Sequence, residues 1–375
     1  MAQSLAEYYA TNYTKCSPDR SFLASWKGAV YPLLIVQLVS IPFSSLTFYC
    51  ILKKTPSQML SVKWPLLYSH CCTTFTTFGA CSLITPVFFF PKAFASNGLF
   101  GLLHIPGQIQ ACLTVITISG EFLYGQENRQ KSLIFVGTVI SFIRLYEQRS
   151  SLIQDNIFRL ERTTSKIILY SIDVLACMVI NIPFLIGASG DQEVAKLDYL
   201  ETTPCPTEEF FLYPVYFMFT DYSISIILFV YLIICSNFFN IQFFLFPSCC
   251  VYYLFFATRS TVSNETRQLQ RRFFLGLCLQ TIVSFSFITL SITLLFNAYL
   301  YGYDNQPLTN VMVAVFAGHS IAESIVVILV HKSYREFVTG LVFKERGVKT
   351  SSFTAVEPTS VQLGNRSVLR QTRVL

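Results

Sequence analysis

Five stretches of the chain stay apolar over the length that a bilayer demands: 30–52, 64–90, 167–188, 273–298 and 311–330. A hydrocarbon core of ~30 Å takes about 20 residues of helix, each advancing ~1.5 Å. Pro32, Pro42, Pro86 and Pro183 fall inside these runs. Spanning helices tolerate them because neighbouring helices re-satisfy the freed carbonyls. Two further regions are less regular. Region 99–146 has an apolar stretch (Leu99–Ser119), a polar interruption with Glu121, Glu127, Arg129 and Lys131, then a shorter stretch (Leu133–Ile143). Region 210–257 carries one charge, Asp221, and as a single helix would reach about 70 Å. Either region reads as one long helix or as two elements. Counting one net crossing for each gives seven.

The distribution of charge supports that count. With seven crossings, one side of the membrane holds five of the 27 Lys and Arg: Lys15, Arg20, Lys27, Lys92 and Lys196. The other side holds the rest, in Lys53–Lys63, Arg129–Lys166, Arg259–Arg272 and Lys332–Arg373. Lysine and arginine are retained in cytoplasmic loops. The expected fold is therefore an all-α membrane protein, a seven-transmembrane helix bundle with its N-terminus outside and its C-terminus cytoplasmic. An extracellular segment (1–29) leads into the bundle (30–335), and a basic, Ser/Thr-rich cytoplasmic tail (336–375) reads as disordered and open to phosphorylation. Residues 1–28 lack the apolar core of a cleavable signal, so the first span is expected to act as its own anchor.

Composition points the same way. Hydrophobic residues make up 53% of the 375, charged residues 13%, and mean hydropathy is +0.51. A soluble domain carries roughly 25% charged residues, so much of this surface must face lipid. Ten of the twelve cysteines lie in apolar stretches, where a free thiol packs as a small hydrophobe. Cys16 and Cys205 are left on the oxidising side, and a bridge between them would pin the N-terminus over the acidic 189–209 loop. Asn12-Tyr13-Thr14 on the same side is a glycosylation sequon.

Polar residues inside a span are costly and mark candidate functional positions. The last span carries His319, Ser320, Glu323 and Ser324. His319 and Glu323 are four residues apart and share one helical face. Insertion of a central carboxyl costs ~3 kcal/mol, which the apolar neighbours at roughly 0.4 kcal/mol each offset. This face reads as an inward switching network or as a ligand contact. Asp221, near the outer end of the fifth span, is a further ligand candidate, while Asp173, His70 and Gln37 read as interhelical hydrogen-bonding groups. Catalysis is unsupported. Gly318-His319-Ser320-Ile321-Ala322 only faintly resembles a nucleophile elbow and lies mid-span rather than on a strand-to-helix turn. No HExxH, phosphate-binding glycine loop or zinc-spaced Cys/His cluster occurs, so neither a metal nor another cofactor is expected. The basic clusters Lys53-Lys54, Arg267–Arg272 and Lys332–Arg335 border spans. That placement fits anionic lipid headgroups and a cytoplasmic protein partner rather than nucleic acid.

Specific strings add to this reading. Ser40-Ile41-Pro42, then Tyr49-Cys50-Ile51-Leu52-Lys53-Lys54-Thr55-Pro56-Ser57-Gln58-Met59 and Val62-Lys63-Trp64, resemble the nematode serpentine chemoreceptors of class H. Cys205-Pro206, Leu269-Gln270-Arg271-Arg272-Phe273, His319 and His331-Lys332-Ser333-Tyr334-Arg335 extend the likeness over about residues 40–337. Ser320 and Ser333 stand where such receptors usually have Gly and Pro. The resemblance implies a G-protein-coupled chemosensory receptor for a small environmental molecule or pheromone, in the ciliated endings of sensory neurons, acting on a heterotrimeric G protein. Within it, Leu145-Tyr146-Glu147-Gln148-Arg149 resembles the acid–arginine motif at the cytoplasmic end of the third span, which implies that Arg149 holds the inactive state and engages the transducer. Gln126-Glu127-Asn128-Arg129, in a segment that looks inserted, is a second candidate. The G-protein-facing set is then Lys53, Lys54, Glu147, Arg149, Arg271, Arg272, Lys332, Tyr334 and Arg335. A transporter or an odorant-gated channel subunit is the alternative, disfavoured by the lack of internal repeats and by the N-out orientation.

Overall fold

A computed structural model describes residues 4–89, 93–111, 113, 124–127, 130–133, 138–186, 191–217, 222–257, 263–301 and 305–345. Its main helices are α1 (Trp26–Lys53), α2 (Leu60–Phe78), α3 (Thr138–Ser151), α4 (Thr163–Ile186), α5 (Tyr222–Val251) and α6 (Asn264–Leu300). They are followed by α7, which runs Gln306–Ala317 and resumes after Gly318 as His319–Val330, and by α8 (Lys332–Glu345). Four of the described helical stretches are long and apolar enough to cross a membrane: Trp26–Lys53, Asn237–Phe256, Asn264–Leu295 and Gln306–Val330. Large apolar side chains such as Leu38, Ile241, Phe244 and Ile282 point outward from them and are exposed. Lipid would cover such a surface.

The 210–257 region resolves into one long helix. α5 continues as a π-helical turn, Tyr252–Phe256, and a short helix (Glu209–Leu212) and a strand precede it. The 64–90 run behaves differently from the expected span. α2 ends at Phe78, a π-helical turn carries Gly79–Ile84, and Thr85 takes a left-handed conformation at φ 45°. Pro86 has no N–H to continue a helix. The chain turns instead into β1 (Pro86–Phe89), paired antiparallel with β2 (Ala93–Ser96) in register Pro86↔Ser96. In region 99–146, β3 (Tyr124–Glu127) and β4 (Gln130–Leu133) form an antiparallel pair across the expected polar interruption. Arg129 lies outside the described residues. β5 (Tyr216–Phe217) joins the free edge of β2 and completes a three-stranded sheet in the order β1-β2-β5.

α6 packs along the second half of α7, α1 along both halves, and α3 sits between α2 and α5. At the closest approach of α6 to α7, a Cβ on Gly276 would come within 2.2 Å of Val330 Cγ1. A larger residue there would have to displace the Val330 side chain. The boundary expected at 335/336 falls within α8, whose helix continues to Glu345; residues 346–375 lie outside the described residues.

One end of the bundle is closed by a cap. The sheet, a helix at Gln192–Thr202 and Glu209–Leu212 enclose an aromatic cluster that includes Phe89, Tyr199, Phe210 and Phe217. The N-terminal segment lies across this cluster. Cys16 and Cys205 are joined, with sulfurs 2.08 Å apart. Tyr8 and Tyr13 donate their hydroxyls to the carbonyls of Pro204 and Pro206, each at 2.9 Å. The backbone N–H of Trp26, at the start of α1, donates to Glu209 Oε1 at 2.9 Å. Asn12 is exposed beside these contacts.

Candidate functional site

Four helices converge on Glu323. The side chain lies on the second half of α7 and is fully buried. Gln280 Nε2 of α6 donates to its Oε1 at 2.8 Å, and the Thr73 hydroxyl of α2 donates to its Oε2. His70 Nδ1, also of α2, stands 3.6 Å from Oε2. The other ring nitrogen of His70, Nε2, is 3.3 Å from the Ser44 carbonyl of α1. A carbonyl only accepts, so Nε2 carries the hydrogen, and Nδ1 meets Glu323 either as a lone pair or as the second donor of an imidazolium. Phe48 tilts against the His70 ring at 4.5 Å.

The spacing of the last span explains the rest of the seam. His319, Ser320, Glu323 and Ser324, at helical repeats of three and four, lie on one buried face. Ser324 Oγ returns its proton to the Ser320 carbonyl at 2.7 Å, and Thr47 of α1 reaches the Ser324 carbonyl at 3.4 Å. His319 Nδ1 is 2.7 Å from the Phe316 carbonyl, which leaves Nε2 as an acceptor. That atom, Ser320 Oγ and Ser284 Oγ are buried without a hydrogen-bonding partner. Each such orphan costs about 1–3 kcal/mol. Among the described residues no group of three or more His, Cys, Asp or Glu is placed to hold a metal ion. Asp221, the fourth residue expected in the ligand or switch network, lies outside the described residues.

A second polar cluster sits at the end of the bundle opposite the cap. Glu147 of α3 is fully buried and does not pair with Arg149. It accepts from Ser151 and from Tyr170 of α4, both at 2.6 Å, and Lys166 Nζ is 3.7 Å away. Residues two apart on a helix point away from one another, and Arg149 accordingly lies on another face, over the Phe273 ring of α6 at 5.1 Å. Arg144, not singled out by the sequence reading, stacks on Tyr170 at 4.2 Å with two buried guanidinium nitrogens unpartnered.

A model of the family described as Serpentine type 7TM GPCR chemoreceptor Srh matches residues 24–344. The chain is also 30% identical over 365 residues to Serpentine receptor class H-72 of Caenorhabditis elegans, covering 94% of this chain and 99% of that one. The chain belongs to the class H family of serpentine chemoreceptors. The receptor is thus a multi-pass membrane protein of the seven-helix type. Its basic residues divide into two groups. Lys53, Arg272, Lys332 and Arg335 are exposed, Lys332 beside Glu336 at 3.6 Å and Arg335 donating to the Leu329 carbonyl at 2.6 Å. Lys54 instead lies over the Phe337 ring at 4.4 Å, and Arg271 donates to the Leu254 carbonyl at 2.7 Å.

Two residues expected on the transducer-facing surface are turned inward in the receptor. Glu147 is held as described above. Tyr334 is fully buried against Cys50, Ile51, Leu66 and Val327, and its hydroxyl is 2.6 Å from Thr55 Oγ1. The cause is helical spacing: Tyr334, Phe337 and Val338 form the apolar face with which α8 docks on α1 and α2.

Proposed function

We propose that this receptor detects a small environmental molecule or pheromone from the cap side, which faces outward, and switches a heterotrimeric G protein at the opposite, cytoplasmic end. The observation that carries the reading is the buried seam on Glu323, which links α1, α2, α6 and α7 through single side-chain contacts. α7 begins in the cap at Gln306, breaks at Gly318 and passes Glu323 before meeting α8. A displacement at its first half is passed down one rod to the seam. There the orphaned His319, Ser320 and Ser284 polar atoms favour a second arrangement in which they find partners. A ligand that binds that arrangement better shifts the population toward it.

In this reading Glu147 and Tyr334 hold the cytoplasmic end closed, and Arg149 both holds the inactive state and engages the G protein when the end opens. The surface offered to the G protein is built from Lys53, Lys54, Arg271, Arg272, Lys332 and Arg335, which also meet anionic lipid headgroups. The site of action expected for the receptor is the ciliated ending of a sensory neuron.

The test is signalling in cells that express the receptor with a G-protein reporter, challenged with a panel of volatile and water-soluble small molecules. A response that Arg149→Ala abolishes while surface amount is unchanged supports the reading. Substrate flux without any G protein would favour a transporter instead. Antibody binding to a C-terminal tag in intact cells would overturn the orientation.

A further inference from the structure

We propose that the cavity beneath the N-terminal segment is a binding site for a small organic cation, an amine whose N–H groups meet the cavity's acceptors. The hollow measures about 270 Å³ and is bounded by Asp19, Phe89, the 205–207 segment and the start of α7 at Asn305–Pro307. Its size sits just below the ~300–1,000 Å³ of pockets for drug-sized ligands.

At the start of α7 the Gln306 side chain has spent its donors and kept an acceptor. Both hydrogens of Gln306 Nε2 are used, toward the Phe88 carbonyl at 2.9 Å and Asn310 Oδ1 at 3.0 Å. The carbonyl partner fixes the amide's orientation and leaves the Gln306 oxygen as an acceptor. The start of a helix ordinarily attracts anions through free N–H groups. Here Pro307 has none, Asn305 Oδ1 takes the Leu308 N–H at 3.0 Å, and the Asn305 carbonyl takes that of Thr309 at 3.1 Å. An anion would find little to bind.

Thr207 supplies the independent sign of a ligand. It is 7% exposed, lines the cavity, and its hydroxyl has no hydrogen-bonding partner. Charge completes the argument. Asp19 stands exposed at the rim with one carboxylate oxygen on the Ser21 N–H at 2.8 Å. Glu208, next in the chain after Thr207, has the exposed Arg20 guanidinium 3.5 Å away. The Tyr13 hydroxyl nearby is pushed up to about 12, by burial first and by the Glu208 charge second. Phe89 adds a ring, a wall that suits a cation better than an anion.

This deepens the receptor reading and rests on it only in making the amine a signal; binding itself is measured without signalling. The probes are two thiol reagents of opposite charge, aminoethyl and sulfonatoethyl methanethiosulfonate, applied to full-length detergent-solubilised protein with its disulfide intact. Each rate is divided by that of free cysteine and corrected for the unsubstituted protein. Thr207→Cys is expected to favour the cationic reagent by ~10-fold or more, within the range by which charged clefts concentrate ligands. Phe22→Cys, exposed at the same end and outside the cavity lining, reports the general surface and should show no more than ~3-fold. Adding Asp19→Asn should bring the Thr207→Cys ratio down to that of Phe22→Cys. Pro307→Cys gives a second position if the first variant does not fold. A cavity position no more cation-selective than Phe22→Cys, or unreactive to the cation in folded protein, would overturn the site. Loss of G-protein coupling leaves these rates unchanged, so the two failures are told apart.

Discussion

At the cap end, the N-terminal segment is tied by a disulfide and by hydrogen bonds that run to backbone carbonyls and N–H groups. Gln192 adds a reciprocal pair with the Phe217 backbone, donating at 3.2 Å and accepting at 2.8 Å. At the basic end α3 and α8 are held to their neighbours side chain to side chain, by Tyr334 with Thr55, Tyr170 with Glu147, Lys54 over Phe337 and Arg149 over Phe273, while Arg271 and Arg335 reach the Leu254 and Leu329 carbonyls. Backbone-directed contacts fix a chain's path, whereas side-chain contacts are released by a change of rotamer. The cap is therefore built to stay and the basic end to move, with the Glu323 seam between them.

The seam gives the largest expected effect. Glu323→Ala removes the acceptor of Gln280 and leaves that amide buried and unpaired, while Thr73 falls back on the Ser69 and His70 carbonyls at 3.3 and 3.1 Å. An orphaned buried donor costs about 1–3 kcal/mol, and the cavity left by truncating the side chain adds to that. Most of the protein should be lost from the cell surface, and the remainder should melt well below the unsubstituted receptor. Glu323→Gln keeps shape and one acceptor, and should be far milder. Equal thermal stability for Glu323→Ala and the unsubstituted receptor would remove the seam from the comparison.

Breaking the cap comes next. Cys16→Ser or Cys205→Ser opens a bridge between positions 189 residues apart, and a native disulfide typically contributes about 2–4 kcal/mol. Either variant and the double variant should fall by the same amount in thermal unfolding, since each breaks the same bond. Basal signalling should stay unchanged if the cap is scaffold and the basic end is the moving part. A rise in basal signalling on opening the bridge would put the mobile element at the wrong end.

Between these ends, Gly276→Ala tests how tightly α6 and α7 are held. The added Cβ collides with Val330, and overpacking of this kind costs about 1–3 kcal/mol. The expected signature is a modest fall in thermal stability together with altered basal signalling, because the collision pushes α6 away from α7 beside the basic end. A Gly276→Ala, Val330→Ala double variant should recover most of the loss.

What the sequence made legible, and what it hid, follows the same division. Three of the four stretches that meet the spanning criterion match clear apolar runs, because a bilayer imposes a length on them, whereas Asn237–Phe256 lies in the region left open between one helix and two. The buried face of His319, Ser320, Glu323 and Ser324 could be read because spacing within one helix is local. The partners of that face could not: Thr73 and Gln280 lie 250 and 43 residues from Glu323, and nothing along the chain marks which face of α2 or α6 turns toward α7. The end of α2 was obscured because 64–90 stays apolar through the turn at Thr85 and into β1. A strand buried in a cap is as hydrophobic as a span. Tyr334 was assigned to the surface because it lies between Lys332 and Arg335; only its helical partners Phe337 and Val338 indicate the face that packs. Arg144 was passed over since a lone arginine near a span end reads as a topological flank.

Tyr334→Phe is the smallest change expected to register, and the most direct probe of the basic end. It deletes one hydroxyl and leaves the ring against Cys50, Ile51, Leu66 and Val327. The lost bond to Thr55 is worth about 1 kcal/mol, as for a typical hydrogen bond. Because Thr55 also donates to the Ile51 carbonyl at 2.5 Å, it is not orphaned, which keeps the penalty small. A stability change of that size is hard to see in melting but alters a two-state equilibrium about fivefold. If the Tyr334–Thr55 contact closes the cytoplasmic end, basal signalling should rise by roughly that factor while the amount at the surface holds steady. Thr55→Val leaves the buried Tyr334 hydroxyl unpaired and should raise basal signalling further, and adding Tyr334→Phe to it should bring the value back to that of Tyr334→Phe alone, because both remove one bond. Additive increases would mean that the two hydroxyls act separately, and α8 would then be a passive rest for the bundle rather than its latch.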